Sequence, residues 1–434
     1  MKTVQAFVRY GRFSCLAALV GCSVYHPLPL STGAEFMPAP GGGHALALAD
    51  IGALAVRHDP ALVAARAARG VAAAELLAAG RPPDPVISGG FAALLSGPGA
   101  MPAISAGLTQ DLSALVTYRA DRAAAKAGVN QVDAGILWQE WQVAAQAEQL
   151  CVSLRADEAI LASLDADDAA LRAESATVAA EVTAGNLTLA DQAAADAALA
   201  AVEGARNSAI ATRAQDLDQL DSLLDLAPGT ALHIAPGAPP AIAPAVAQAA
   251  LASLPTRRPD LLALRYGYEQ ADAKLRAAIL AQFLPVSLGA AGGRDTSNVV
   301  SAGPQLSLTL PLFSHNRPAI EAAMATRAVL RAQYQASLDD ATAGVMSLNA
   351  ALSRLEPEAA QADAAATAAE TAAAEARAAF AAGALDARAE TDFITTAGER
   401  RRTAILLHEQ IDTATLSLAT LAGIGLPPVT EPRT

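Results

Sequence analysis

The sequence predicts a mainly α-helical chain with a membrane β-barrel part, in which long antiparallel helical hairpins are joined to two short pairs of strands. Three observations predict it. Hydrophobic residues make up 53% of the 434, yet aromatic residues are only 4% and charged residues 17%, because alanine carries the apolar fraction. Alanine has the highest helix propensity and lets backbones approach closely, which favours extended helical packing over a bulky compact core. Proline is absent between Pro102 and Pro228, and only Pro318 and Pro357 interrupt the stretch between Pro311 and Pro427. Ahead of each of these tracts, apolar residues alternate with small or polar ones, the period of a two-faced strand.

The chain is one unit written twice. His58-Asp59-Pro60-Ala61-Leu62 with Arg66 matches Arg257-Arg258-Pro259-Asp260-Leu261 with Arg265, 199 residues on. Pro85-Val86 matches Pro285-Val286, and Leu108-Thr109 with Leu112 matches Leu308-Thr309 with Leu312, each 200 residues on. Ala184-Gly185 matches Ala382-Gly383, 198 residues on. Landmarks in one order at nearly constant spacing define a tandem repeat. The expected organisation is a leader over 1–21, a lipid-anchored extended tether over 22–48 and a first repeat over 49–227. A Pro-rich linker over 228–255, a second repeat over 256–426 and a tail over 427–434 complete it.

Each repeat reads as a helix, two strands and then two very long helices. The first strand pair runs from Pro85 to Leu95 and from Met101 to Leu112, about a Ser96-Gly97-Pro98-Gly99 turn. The second runs from Leu284 to Gly293 and from Val300 to Leu312, with Arg294-Asp295-Thr296-Ser297-Asn298 between. In the last of these, Val300, Ala302, Pro304, Leu306, Leu308, Leu310 and Leu312 alternate with Ser301, Gly303, Gln305, Ser307 and Thr309. That is a strand with lipid on one side and water on the other. A soluble two-faced sheet packed on a helix would show the same alternation.

In the second long tract, Tyr334, Leu338, Val345, Leu348, Leu352 and Leu355 follow an a/d seam of the coiled-coil kind. The 65 residues from Pro318 to Ala382 would span roughly 95 Å as a helix, with a kink expected at Pro357. Each long helix turns at a glycine. Thr183-Ala184-Gly185-Asn186-Leu187-Thr188 offers Gly185 for a left-handed residue, then Thr188 and Asp191 at capping-box spacing. Ala382-Gly383-Ala384-Leu385-Asp386 repeats the arrangement with Asp386 as N-cap.

Lys2, Arg9 and Arg12 precede a short apolar run from Cys15 to Gly21 that ends at Cys22, in the manner of a secretory leader. Leu19-Val20-Gly21-Cys22 resembles a bacterial lipobox, which implies acylation of Cys22; the Ser23 that follows implies delivery to the outer membrane. Cys151 reads as a small core residue. No apolar run reaches the ~18 residues of a spanning helix, so any crossing must be made by strands. Four strands cannot close a barrel, and an open edge in hydrocarbon leaves backbone groups unpaired at several kcal/mol each. Spanning therefore requires several chains to share one barrel.

The formal charge of −13 works against nucleic-acid binding over most of the surface. His26, His44, His58, His233, His315 and His408 include no pair at ligand spacing. No phosphate-binding loop, zinc-protease motif or nucleophile elbow is present, so neither a cofactor nor an enzymatic site is expected. Trp138 and Trp141 read as anchors of helix packing.

Taken together, Arg258-Pro259-Asp260-Leu261, Leu284-Pro285, Gly303-Pro304-Gln305-Leu306-Ser307-Leu308, Pro311-Leu312-Phe313-Ser314-His315-Asn316-Arg317 and Ile320-Glu321-Ala322-Ala323 resemble the TolC family of outer-membrane efflux proteins. The resemblance implies a homotrimer whose chains each give four strands to a twelve-stranded barrel in outer-membrane lipid and four long helices to a periplasmic tunnel. It implies a periplasmic adaptor and an inner-membrane pump, of the RND type, as partners. Adaptor contact would fall on the tips, Ala184, Gly185, Asn186, Leu187, Ala382, Gly383, Ala384 and Leu385. A periplasmic constriction would fall on Asp191 and Asp392, with Ala389 standing where a further acid is common. The Pro311–Arg317 segment and Pro82-Pro83-Asp84-Pro85 are similar to the CzcC-like metal-efflux subgroup, while drug and type I secretion ducts share much of the pattern. A lipid-anchored periplasmic scaffold is the alternative of another class.

Overall fold

The computed structural model describes residues 25–38, 45–93, 95, 96, 99, 101–230, 232–283, 286–309 and 314–425. The leader, Cys22, Gly97-Pro98, Leu284-Pro285, Pro311-Leu312-Phe313 and the tail lie outside them. The chain divides into two units, 1–36 and 37–434. In the first, the Ser31 hydroxyl donates to the Gly33 carbonyl at 3.0 Å and to Glu35 at 2.8 Å, along an exposed stretch.

The second unit begins with α1 (Leu48–His58) and α2 (Pro60–Ala79), then β1 (Val86–Ala92) and β2 (Ala103–Asp111). Two long helices follow, α3 (Ser113–Ala184) and α4 (Leu189–Leu223). The linker carries α5 (Pro244–Ala250), a 3-10 turn and α6 (Leu254–Arg257). The second repeat supplies α7 (Pro259–Leu280), β3 (Val286–Arg294), β4 (Val300–Leu308), α8 (Arg317–Ala381) and α9 (Ala387–Ala422). At 1.5 Å per residue, the 72 residues of α3 extend about 108 Å.

The four strands form one antiparallel sheet in the order β1-β2-β3-β4, so β1 and β4 are its edges. The central β2–β3 pairing, Leu108 opposite Ala290 and Ser105 opposite Gly293, joins the two repeats. At the β3–β4 turn the Asp295 carboxylate accepts the N–H groups of Ser297 and Val299, both at 2.9 Å, and Asn298 takes φ 66°. An Asx-type turn and a left-handed Asn are what that polar run offers.

The seam foreseen in the second repeat is present. Val345 and Leu352 are buried with Leu418 and Ala422 of α9 and with Leu261 of α7, and Tyr334, Leu338 and Leu348 pack against them. A second core joins Ile51 and Ala55 of α1 to Ala147, Cys151 and Leu154 of α3, to Leu220 of α4 and to Leu224 just past its end. There Cys151 is fully buried and free, with its thiol pushed up to about 12 by burial. Trp138 and Trp141 lie 6.3 Å apart between ring centres, and the Arg258 guanidinium lies 4.8 Å over Trp138.

Two local readings need amendment. The stretch 228–255 is extended only in its first part, because Pro244 and Pro255 stand in the first turns of α5 and α6, where a missing N–H costs nothing. The tether is tied down before its expected end: Met37 N–H donates to Asp225 O at 2.7 Å, and Leu46 N–H to His233 O at 2.8 Å. The helix α8 continues through Pro357, which leaves the Ser353 carbonyl without its usual i+4 donor, the condition under which the expected kink arises.

Candidate functional site

Antiparallel partners point to the same face, so the register sorts the sheet into two surfaces. One carries Ile87 and Phe91 of β1, Ile104 and Leu108 of β2, Leu288 of β3, and Val300, Pro304 and Leu306 of β4, with Gln110 and Arg294 at its two ends. The other carries Ser88, Gly90, Ser105, Gly107, Thr109, Ser287, Gly289, Ser301, Gly303, Gln305 and Ser307. The apolar surface is bare: Ile87 is 82% and Val300 76% exposed. A soluble sheet covers such a face with a helix; none of the described helices lies on this one. Glycine on the polar surface also permits close packing, since a Cβ at Gly289 or Gly293 would meet the β2 backbone.

The long helices end at two tips of like construction. Gly185 has φ 82° and Gly383 φ 70°. Asn186 N–H reaches back to Glu181 O at 2.9 Å, and Ala384 N–H to Ala379 O at 2.8 Å, closing both helices with the same left-handed motif. Ala184, Gly185, Asn186, Ala382, Gly383 and Ala384 are exposed, whereas Leu187 turns inward against the Val178 cluster with Phe380. Leu385 is half-buried.

The caps of the return helices differ. Thr188 and Asp191 form a complete capping box: Asp191 N–H donates to Thr188 Oγ1 at 3.3 Å, and Thr188 N–H donates to Asp191 Oδ2 at 2.9 Å. The Thr188 hydroxyl also donates to Asp191, and together these bonds hold the Asp191 carboxyl below the usual range. The Asp191 carboxylate is thus engaged in closing α4. At the other tip, Asp386 accepts Ala389 N–H at 2.7 Å, while Asp392 stays exposed.

Between the hairpins lies a set of buried polar residues that the sequence reading missed. Asp167 of α3 accepts from Arg402 at 2.5 Å and from Arg401 at 3.4 Å, both of α9. Gly398 makes room for it, because a Cβ there would strike the carboxylate. Closer to the tips, Glu174 of α3 accepts from the Thr391 hydroxyl of α9, and Glu390 is buried beside it. A signal was available: Leu164, Leu171 and Val178 mark a seven-residue seam, and Asp167 and Glu174 lie within it, three residues after Leu164 and Leu171.

Among the described residues no group of His, Cys, Asp and Glu is placed to hold a metal ion, and no helix is long and apolar enough to cross a membrane.

A four-stranded sheet with one bare apolar face, carried on long helical hairpins, is the fold of TolC-type outer-membrane channels. The chain superposes on a membrane protein from Pseudomonas aeruginosa with TM-score 0.76 at 20% identity, covering 87% of this chain and 90% of that one. It is similar to the Campylobacter jejuni CmeC outer membrane channel, with TM-score 0.73, 15% identity and coverage of 88% and 87%. The outer membrane protein VceC of Vibrio cholerae gives TM-score 0.73 at 18% identity, with coverage of 87% and 96%. No family model and no curated protein sequence matches the chain.

Proposed function

We propose that the chain is the outer-membrane channel of a tripartite efflux system, conducting solutes passively from an inner-membrane pump and a periplasmic adaptor to the exterior. The observation that carries this reading is the bare apolar face on a sheet with two open edges. Such a face belongs in hydrocarbon, and such edges are tolerable there only when further copies complete the cylinder. A homotrimer would place twelve strands in the ring. The surface of serine, threonine, glycine and glutamine, with the Asp111 carboxylate at one end, would then line a polar, water-filled lumen.

The hairpins extend into the periplasm in this reading, and their exposed tips meet the adaptor. Cys22 carries lipid that tethers the chain to the outer membrane. Energy is supplied by the pump. Its substrates are metal cations or small drugs; the formal charge of −13 favours cations at the tunnel mouth.

Purification and planar-bilayer recording test the proposal. A detergent-dependent trimer that carries a steady ion current supports it. A monodisperse, water-soluble monomer without detergent, or silence in the bilayer under every adaptor condition, would leave the lipid-anchored scaffold as the better account.

A further inference from the structure

Glu174 lies eleven residues before Gly185, and Glu390 seven after Gly383, so each is within about three helical turns of its tip. They come from different hairpins and are only 6% and 7% exposed. Glu174 Oε1 accepts from Thr391, but Oε2 of Glu174 and Oε2 of Glu390 have no hydrogen-bond partner. Buried carboxylate oxygens are rarely left so, because an unpaired buried charge is costly.

The charged groups acting on the pair are few. From α8, Arg377 attracts both; from α9, Asp392 acts against Glu174; and each glutamate opposes the other's charge. On the α4 side, Asp196 is engaged by the Ser175 hydroxyl at 2.7 Å. One arginine thus faces a buried pair of carboxyl groups. A proton on either carboxyl would remove one unpaired buried charge and the repulsion together.

We propose that Glu174 and Glu390 are a proton-operated latch between the two hairpins: with a proton the pair holds the tips packed, and fully ionised it drives them apart. The inference rests on the channel reading for its meaning as a gate, and acidification of the periplasm would then close the duct.

The sign follows from the burial. Desolvation, and then the Glu174 charge, push Glu390 up to about 6, and desolvation raises Glu174 as well. The packed state therefore binds more protons than the separated one. Its packing is fully supported below the ordinary carboxylate range and weakens as pH rises through about 6.

The test is a distance measurement between spin labels at Asn186→Cys and Ala384→Cys, one on each tip, in the full-length protein in detergent. Buried Cys151 is changed to Ala so that it takes up no label. The expected result is a tip-to-tip distribution that shortens and narrows from pH 7.5 to pH 5. Glu390→Gln should show the short distribution at both pH values, as should Glu174→Gln. A distribution unchanged over that range, or a Glu390→Gln protein that shifts as the parent does, overturns the latch. If the glutamine variants do not fold, the parent titration alone decides. No current is needed for this readout: a shifting distance in a protein that never conducts sinks the channel and spares the latch.

Discussion

The two hairpins share a topology and a turn, but they are filled differently. Along α3, the buried seam toward the tip is Leu164, Leu171 and Val178, flanked by Ile160 and met by Leu199 and Val202 of α4. Along α8, the same seven-residue rhythm begins with Val345 and Leu352 and then falls to Ala359, Ala366 and Ala373. Burying a Leu or Val side chain contributes about 1.5–3 kcal/mol, and an alanine methyl much less. The outer half of the second hairpin is thus closely approached but weakly held. It borrows stability by sending Ile394 and Phe380 into the clusters of the first. The difference predicts that the second hairpin opens locally more readily toward its tip than the first.

The most severe way to break this contrast is Leu171→Ala, which should cost about 2–5 kcal/mol by cavity formation. Ala373→Gly should cost only about 1 kcal/mol through helix propensity. Urea unfolding of the two variants checks both, and equal losses would erase the distinction. Next comes turn geometry. Gly185→Ala and Gly383→Ala each force a Cβ into the left-handed region at about 1–2 kcal/mol. Hydrogen exchange should show the added fraying spreading further along α8 and α9 than along α3 and α4.

Removal of a cap is milder. Thr188→Ala and Asp386→Ala should each lose about 1 kcal/mol, but Thr188→Ala should also free Asp191 to titrate normally, as carboxyl NMR would report. The smallest effect sharpens the comparison through pH. Asp191 is held below the usual carboxylate range by Thr188, so its support for α4 is present above that range and lost as pH falls through its own lower value. Amide protection at the first tip should decline in strong acid, whereas the Glu174–Glu390 contact strengthens on acidification.

Much of this was legible in the sequence because it depends on local chemistry. The tip glycines, the Thr188–Asp191 box and the alternation of β4 need only near neighbours to interpret, and the seam from Tyr334 to Leu355 carries its own period. The linker misled because Pro244 and Pro255 read as helix breakers unless their place in the first turn is known. Glu174 and Glu390 stayed hidden for a different reason. Each looks like a solvated charge on an alanine-rich helix, and only the approach of α3 to α9, 216 residues apart at these positions, buries them together.

Pro304 stands midway along β4, at an outer margin of the sheet. A proline has no N–H to offer an arriving strand, and its ring disfavours indiscriminate addition. An open strand edge is a template on which any other unfolded chain could pair. The residue thus makes indiscriminate strand addition along this margin less favourable, at the cost of one possible backbone bond.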